Sequence, residues 1–144
     1  MISVFLDTDV VLDFYIEREP HHNAALRLFT QLKRTKTRCY TSAVVVANTY
    51  YMLAKIENRQ YALHKIRKLR KLVGIAPLNE SIIDAAVSSP YKDFEDSIQF
   101  HCAIQNGIRI LITRNSRDYP KGQLQVADPG QYLSATLLEK KGRT

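Results

Sequence analysis

The sequence predicts an α/β fold with a mainly parallel sheet. Two short β-branched and apolar runs, residues 2–6 (Ile-Ser-Val-Phe-Leu) and 108–112 (Ile-Arg-Ile-Leu-Ile), read as buried strands. Each stops at polar residues, Asp7 after the first and Thr113-Arg114-Asn115 after the second, and segments of helical spacing alternate with them. Strands alternating with helices are the pattern of a parallel sheet crossed by helical connections.

The elements follow in order. After the first strand, residues 8–15 turn to helical spacing, which leaves Asp7 at the strand's C-terminal end, the sheet edge where α/β folds bind ligands. Glu19-Pro20-His21-His22 breaks the chain, and a helix is expected over about 24–32. His21 and His22 are adjacent and diverge on a helix, so they read as a surface feature of its start rather than metal ligands. Residues 33–38 form a basic connector, 39–41 a short second strand, and Ser42 an N-cap for a helix over 43–56. The next helix, 61–73, sets Ala62, Ile66, Leu69 and Val73 on one stripe and Lys65, Arg67, Lys68, Arg70 and Lys71 on the rest, with Gly74 expected as its left-handed terminator. Residues 75–78 read as a short edge strand, 80–88 as a helix, and 97–105 as a helix started by Asp96 and closed at Gly107. A possible edge strand at 125–127 precedes Asp128-Pro129, a cap and first-turn proline opening a last helix to about 138.

Composition narrows the classes. At 144 residues, 45% hydrophobic and 24% charged, the chain is ordinary globular material for one domain, expected over 1–138, with 139–144 a frayed, basic polar tail. The longest apolar runs are too short to span a bilayer, and the N-terminus lacks a signal-type apolar stretch. Cys39 and Cys102 form no ligand set and read as buried free thiols, so the expected compartment is the cytoplasm. Basic residues outnumber acidic ones for a net charge of +7, which favours polyanionic partners.

Against that basic background stands one acidic stretch, Lys92-Asp93-Phe94-Glu95-Asp96-Ser97. Clustered carboxylates repel one another unless a cation or basic group offsets them. Asp7 and Asn115 should open onto one crevice, because parallel strands share their C-terminal edge; Asp118 follows closely, and Asp96, with Asp93 one turn before it, marks a helix N-terminus. An oxygen-only acidic pocket suits hard cations, Mg2+ or Mn2+, rather than zinc. Such ions serve phosphoryl chemistry, and the basic faces would hold the polyanion.

These residues resemble a known family. Residues 6–13 (Leu-Asp-Thr-Asp-Val-Val-Leu-Asp), Ser42 through Asn48, Asp93-Phe94-Glu95-Asp96, and Ile112-Thr113-Arg114-Asn115 with Asp118-Tyr119 occur in the order and spacing of PIN domains. The likeness is greatest to the small prokaryotic toxins of VapC-like toxin–antitoxin pairs, and it spans about residues 2–133. It implies a three-layer α/β/α sandwich and a metal-dependent endoribonuclease, often a homodimer and often held inactive by an antitoxin. Carried over by position, Asp7 and Asp96 are metal carboxylates, Asp93 supplements Asp96, and Asn115 and Asp118 stand at the acidic positions after the strand. Asp9, Asn48 and Thr113 are supporting residues; Arg114, with the basic helix, is an RNA contact and also the one evident cation near the crevice. Asn48 is the departure, since the family generally has Glu there. An amide offers a metal only its carbonyl, and Asp93, Glu95 or Asp118 would have to make good the charge lost at Asn48 and Asn115.

Two other readings stay open. One is a PIN-like module that grips RNA or a protein without cutting, favoured by Asn48 and Asn115. The other is a haloacid-dehalogenase-like phosphatase, whose Asp-x-Asp opening matches Asp7-Thr8-Asp9; a covalent aspartyl-phosphate would distinguish it.

Overall fold

The computed structural model describes residues 2–89, 93–120 and 122–142, with side chains described to residue 136. Lys92, at the head of the acidic stretch, lies outside them. Five strands form one sheet: β1 (Ser3–Leu6), β2 (Arg38–Thr41), β3 (Gly74–Ile75), β4 (Ile110–Ile112) and β5 (Gln125–Ala127). Their order is β3-β2-β1-β4-β5 and every pairing is parallel, with Phe5 opposite Tyr40 on one side and Leu111 on the other. The core sits on β1 and β4, where Val4, Phe5, Leu6, Leu111 and Ile112 are completely buried. Burial on both faces explains why these two runs are continuously apolar rather than alternating.

The helices are α1 (Thr8–Tyr15), α2 (His21–Arg34), α3 (Ala43–Ile56), α4 (Arg59–Leu72), α5 (Glu80–Val87), α6 (Phe94–Gln105) and α7 (Pro129–Gly142). α1 packs on α2 and α3, α3 on α4, and α7 on α2, while α5 pairs with α6. Right-handed crossovers account for the layers: the chain steps one way through β2 and β3 and then returns past β1 to β4, which sends α5 and α6 to the opposite face. The result is an α/β sandwich. The strand order reverses between β1 and β4, and an open parallel sheet has its crevice at such a switch point.

Several boundaries differ from the sequence expectation for local reasons. α6 begins at Phe94, because Asp93 is its N-cap and accepts from the amides of Glu95 (2.9 Å) and Asp96 (3.2 Å); Asp96 is therefore inside the first turn. Asn58 caps α4 two residues before the expected start. Gly74 is no left-handed terminator: α4 ends at an extended Val73, and Gly74 opens β3 against the ring of Tyr40, where a Cβ would come within 2.9 Å. Gly107 does have positive φ, +72°, and closes α6 with Ile108 donating back to Ala103 and Gly107 to Ile104. α2 starts at His21, and α7 continues to Gly142, through most of the segment expected as a frayed tail.

Candidate active site

Asp7 ends β1 and caps α1, its Oδ1 accepting from the Thr8 amide at 2.7 Å. Its own amide donates to the Ile112 carbonyl, so the end of β1 is locked to the end of β4. One residue beyond, Thr113 donates its hydroxyl to Asp7 Oδ2 at 3.0 Å and lies 3.3 Å from Asp9 Oδ2. A hydroxyl has a single proton to give, so these two carboxylates share it. Tyr119, buried behind η1 (Ser116–Asp118), donates its phenol to the same Asp7 oxygen at 3.1 Å. Asp96 competes with Asp7 for that single phenolic proton. Thus Thr113 links Asp7 to Asp9, and Tyr119 links Asp7 to Asp96, at the β1/β4 switch point.

The electrostatics follow from burial. Asp7 is 5% exposed, and desolvation raises its pKa against the opposing pull of the Thr8 amide and of the two hydroxyls. Asp9 is pushed to about 6 by burial and then by Asp7. Asp96 is pushed to about 7, first by burial, then by Asp7 and Asp93. Tyr119 is raised strongly by burial and by the neighbouring carboxylates, so it stays a donor.

Arg114, the one evident cation, is committed elsewhere. Its Nε sits 2.8 Å from Asp13 Oδ2, with the N–H not aimed along that contact, so the two make an ion pair rather than a linear hydrogen bond. Asp13 lies one helical turn beyond Asp9 on α1, and the Arg114 amide donates to Asp9 at 3.2 Å. Among the described residues no ion pair reaches Asp7 or Asp96.

The other expected residues divide. Asn115 donates its amide to the Thr113 hydroxyl at 3.2 Å and keeps an exposed side chain beside the cluster. Asp118 is exposed and takes no part in the bonding among Asp7, Asp9, Thr113 and Tyr119; the residue that reaches in is its neighbour. Asn48 donates its side-chain amide to Glu95 at 2.9 Å, joining α3 to the first turn of α6. Ser42 caps α3 as expected and donates to the buried Gln99 at 2.7 Å, a second tie between those helices. On α4, Arg70 donates to the Val73 carbonyl and finishes its own helix, whereas Lys65, Lys68 and Lys71 face a cleft toward α1. Arg67 is exposed. His22 donates from Nδ1 to the Asp13 carbonyl, 2.9 Å away, a packing contact of α2 on α1.

Asp13 and Tyr119 were not singled out by sequence reasoning. The spacing of Asp9 and Asp13 on one helix face was the available signal for the first; the aromatic following Asp118 was the signal for the second.

Residues 3–117 match the model of the PIN domain, and this chain belongs to the PIN domain family. Within it, the chain is similar to Ribonuclease VapC1 of Aquifex aeolicus (strain VF5), with 26% identity over 122 residues that cover 81% of this chain and 84% of that protein. The fold is similar to Mycobacterium tuberculosis VapC20, described as a sarcin-ricin loop cleaving toxin, with a TM-score of 0.61 and 19% identity over 75% of this chain and 86% of that one. It is similar also to a chain of VapBC-1 from nontypeable Haemophilus influenzae, with a TM-score of 0.68 and 17% identity over 90% and 99% of the two chains. The family sets aside the haloacid-dehalogenase reading of Asp7-Thr8-Asp9.

The donor set fits a hard divalent cation. The groups at the switch point are carboxylate and hydroxyl oxygens, and the acids are desolvated and repel one another. Among the described residues no three acidic, histidine or cysteine side chains stand together as a ready-made metal cluster. A cation would therefore draw mainly on Asp7 and Asp96, with neutral oxygens or water completing its shell. Elsewhere, Cys39 and Cys102 are buried free thiols, and no helix among the described residues is long and apolar enough to cross a membrane.

Proposed function

We propose that this chain is an Mg2+- or Mn2+-dependent endoribonuclease, the toxin of a VapC-like toxin–antitoxin pair. The observation that carries the reading is the linking of Asp7 to Asp9 through Thr113 and to Asp96 through Tyr119 at the sheet's switch point, with no ion pair among the described residues reaching Asp7 or Asp96. Structural acids are ordinarily paired with a base; acids kept desolvated and repelling are a standing demand for a cation. A bound divalent ion would supply charge neutralisation at the scissile phosphate and a water of lowered pKa.

The chain's residues have distinct tasks in this reading. Asp7 and Asp96 are the principal cation-binding carboxylates and Asp93 flanks them from the cap of α6. Thr113 and Tyr119 fix the carboxylate oxygens beforehand, and Asp9, bonded to the Arg114 amide, sets the end of β4 against α1. The N-termini of α1, α3 and α6 gather at this sheet edge, and their positive ends offset part of the repulsion. Asp118 has the weakest support, because its exposed side chain is outside the hydrogen-bonded group. The neighbouring structures that are toxin–antitoxin complexes support an antitoxin partner, among them one from Klebsiella pneumoniae. Homodimerisation rests on the family resemblance. Buried free thiols and an RNA substrate fit a cytoplasmic setting.

The test is cleavage of a structured RNA mixture across Mn2+ and Mg2+ titrations, beside Asp7→Ala and Asp96→Asn. Metal-dependent cutting that both variants lose, with the fold retained by circular dichroism, is expected. Undiminished cutting by either folded variant would overturn the site. RNA binding without cutting at any metal concentration would favour the non-catalytic module, for which the neutral Asn48 is the supporting observation.

A further inference from the structure

The basic helix α4 is not uniform. Arg70 completes its own C-terminus, while Lys65, Lys68 and Lys71, spaced three apart, line one side of a cavity of about 470 Å3 between α1 and α4. Phe14 and Tyr15 of α1 form the other side, and Tyr61 stands beside the lysines on α4. We propose that this cleft is a subsite for single-stranded RNA, in which bases stack on the Tyr15 and Tyr61 rings while Lys65, Lys68 and Lys71 hold the phosphates. The inference rests on the nuclease reading for its ligand and adds a place where the strand is gripped away from the acids.

The cleft is built rather than incidental. The Tyr15 hydroxyl donates to the Lys65 carbonyl at 3.2 Å, tying the end of α1 to α4. Phe14 packs against Tyr15 (5.0 Å between centroids) and against Phe29 (4.3 Å), so the aromatic wall is backed by the core. Lys65 Nζ lies 5.3 Å from the Tyr61 ring centre and 5.9 Å from that of Tyr15, cation–π contacts that incoming bases would replace, releasing the ammonium to a phosphate. Neutral rings interleaved with point charges are what a single strand needs, since every base has a π face and every linkage a charge. The lysines come from α4 beside Tyr61, while Glu17 lies on the α1 side with Tyr15, so the phosphates would track α4 with the bases turned into the space between the two tyrosine rings. The position is also suitable. α1 runs from the Asp7 cap to Tyr15 in eight residues, a rise of about 12 Å, the reach of a few nucleotides from the acidic group.

The test is equilibrium binding of a labelled single-stranded RNA and its duplex to the full chain in EDTA, where nothing is cut, over a range of salt. The single strand should bind more tightly. The exposed pair Lys68→Ala/Lys71→Ala should reduce the steepness of the salt dependence by about 1.4 in log–log slope, from two lost single-strand phosphate contacts. Tyr61→Leu should weaken binding about tenfold with that slope unchanged, and Tyr61→Phe should bind as the unmodified chain does. Ultraviolet cross-linking of unmodified protein to the RNA, mapped by mass spectrometry, should place adducts on Tyr15 or Tyr61 whether or not Tyr61→Leu folds. Unchanged affinity and slope in the lysine variant, or adducts found only elsewhere, would overturn the subsite and leave the cleft to a protein partner. The nuclease reading fails separately: Asp96→Asn should lose cutting while keeping this binding pattern.

Discussion

Asn48 and Glu95 together address the charge that the family resemblance leaves missing. Asn48 brings no charge from α3, yet its amide holds the Glu95 carboxylate at 2.9 Å on the neighbouring turn of α6. If the acid has moved from one helix to the other, this bond positions it. Glu95→Gln should then weaken Mn2+ binding about tenfold by calorimetry, and Asn48→Glu placed in the Glu95→Gln background should restore it. Unaltered Mn2+ affinity in Glu95→Gln would mean that Glu95 is only a surface acid. Side-chain direction also explains what was illegible here. Asp118 and Tyr119 are adjacent, but the turn of η1 exposes the first and buries the second against Asp7. A count of acids selects Asp118; the tertiary packing selects Tyr119.

Strands and helices were more readable than the groups at their ends. β5 and α3 have the expected limits because their signals are local: a short apolar run in one, a serine cap before a long apolar helix in the other. The parallel sheet was likewise legible from two apolar runs and the helices between them, whereas the reversal at β1 depends on which strands pair and has no local signature. The two interhelical glycines show the same division. Gly107 was readable as a left-handed helix end, but the need for glycine at position 74 comes from the Tyr40 ring of a strand more than thirty residues earlier. Gly107→Ala should destabilise by about 1 kcal/mol through its positive φ alone. Gly74→Ala should cost more, because the added methyl meets an aromatic ring wedged in the sheet rather than a flexible side-chain end. Urea denaturation of both variants checks the order. Equal stability of Gly74→Ala and the unmodified chain would mean that β2 and β3 shift to admit it.

Across the fold, the acidic group sets stability against function in a way that pH reveals. Asp96 goes from an ordinary 3.8 to about 7 in the folded chain and Asp9 to about 6, so between about pH 4 and 7 the folded protein binds more protons than the unfolded one. Their contribution is therefore greatest below the ordinary carboxylate range and is lost as pH rises through 6 and 7. His101 works the other way: burial lowers its pKa, so its contribution is retained above its ordinary 6.5 and lost as pH falls. The difference between unmodified protein and Asp96→Asn isolates Asp96 from that background. In EDTA, Asp96→Asn should melt higher than the unmodified chain at pH 8, by about 3 °C, and the gap should close toward pH 4. Added Mn2+ at pH 8 should raise the melting temperature of the unmodified chain by binding the ionised acids, and should do little for Asp96→Asn. Lowering the pH from 8 to 5 should abolish the Mn2+ effect as Asp96 and Asp9 take up protons in competition with the cation. A melting temperature for Asp96→Asn that stays at or below the unmodified value throughout, with no response of either protein to Mn2+, would show that these carboxylates are stabilising members of the fold rather than a site awaiting a cation.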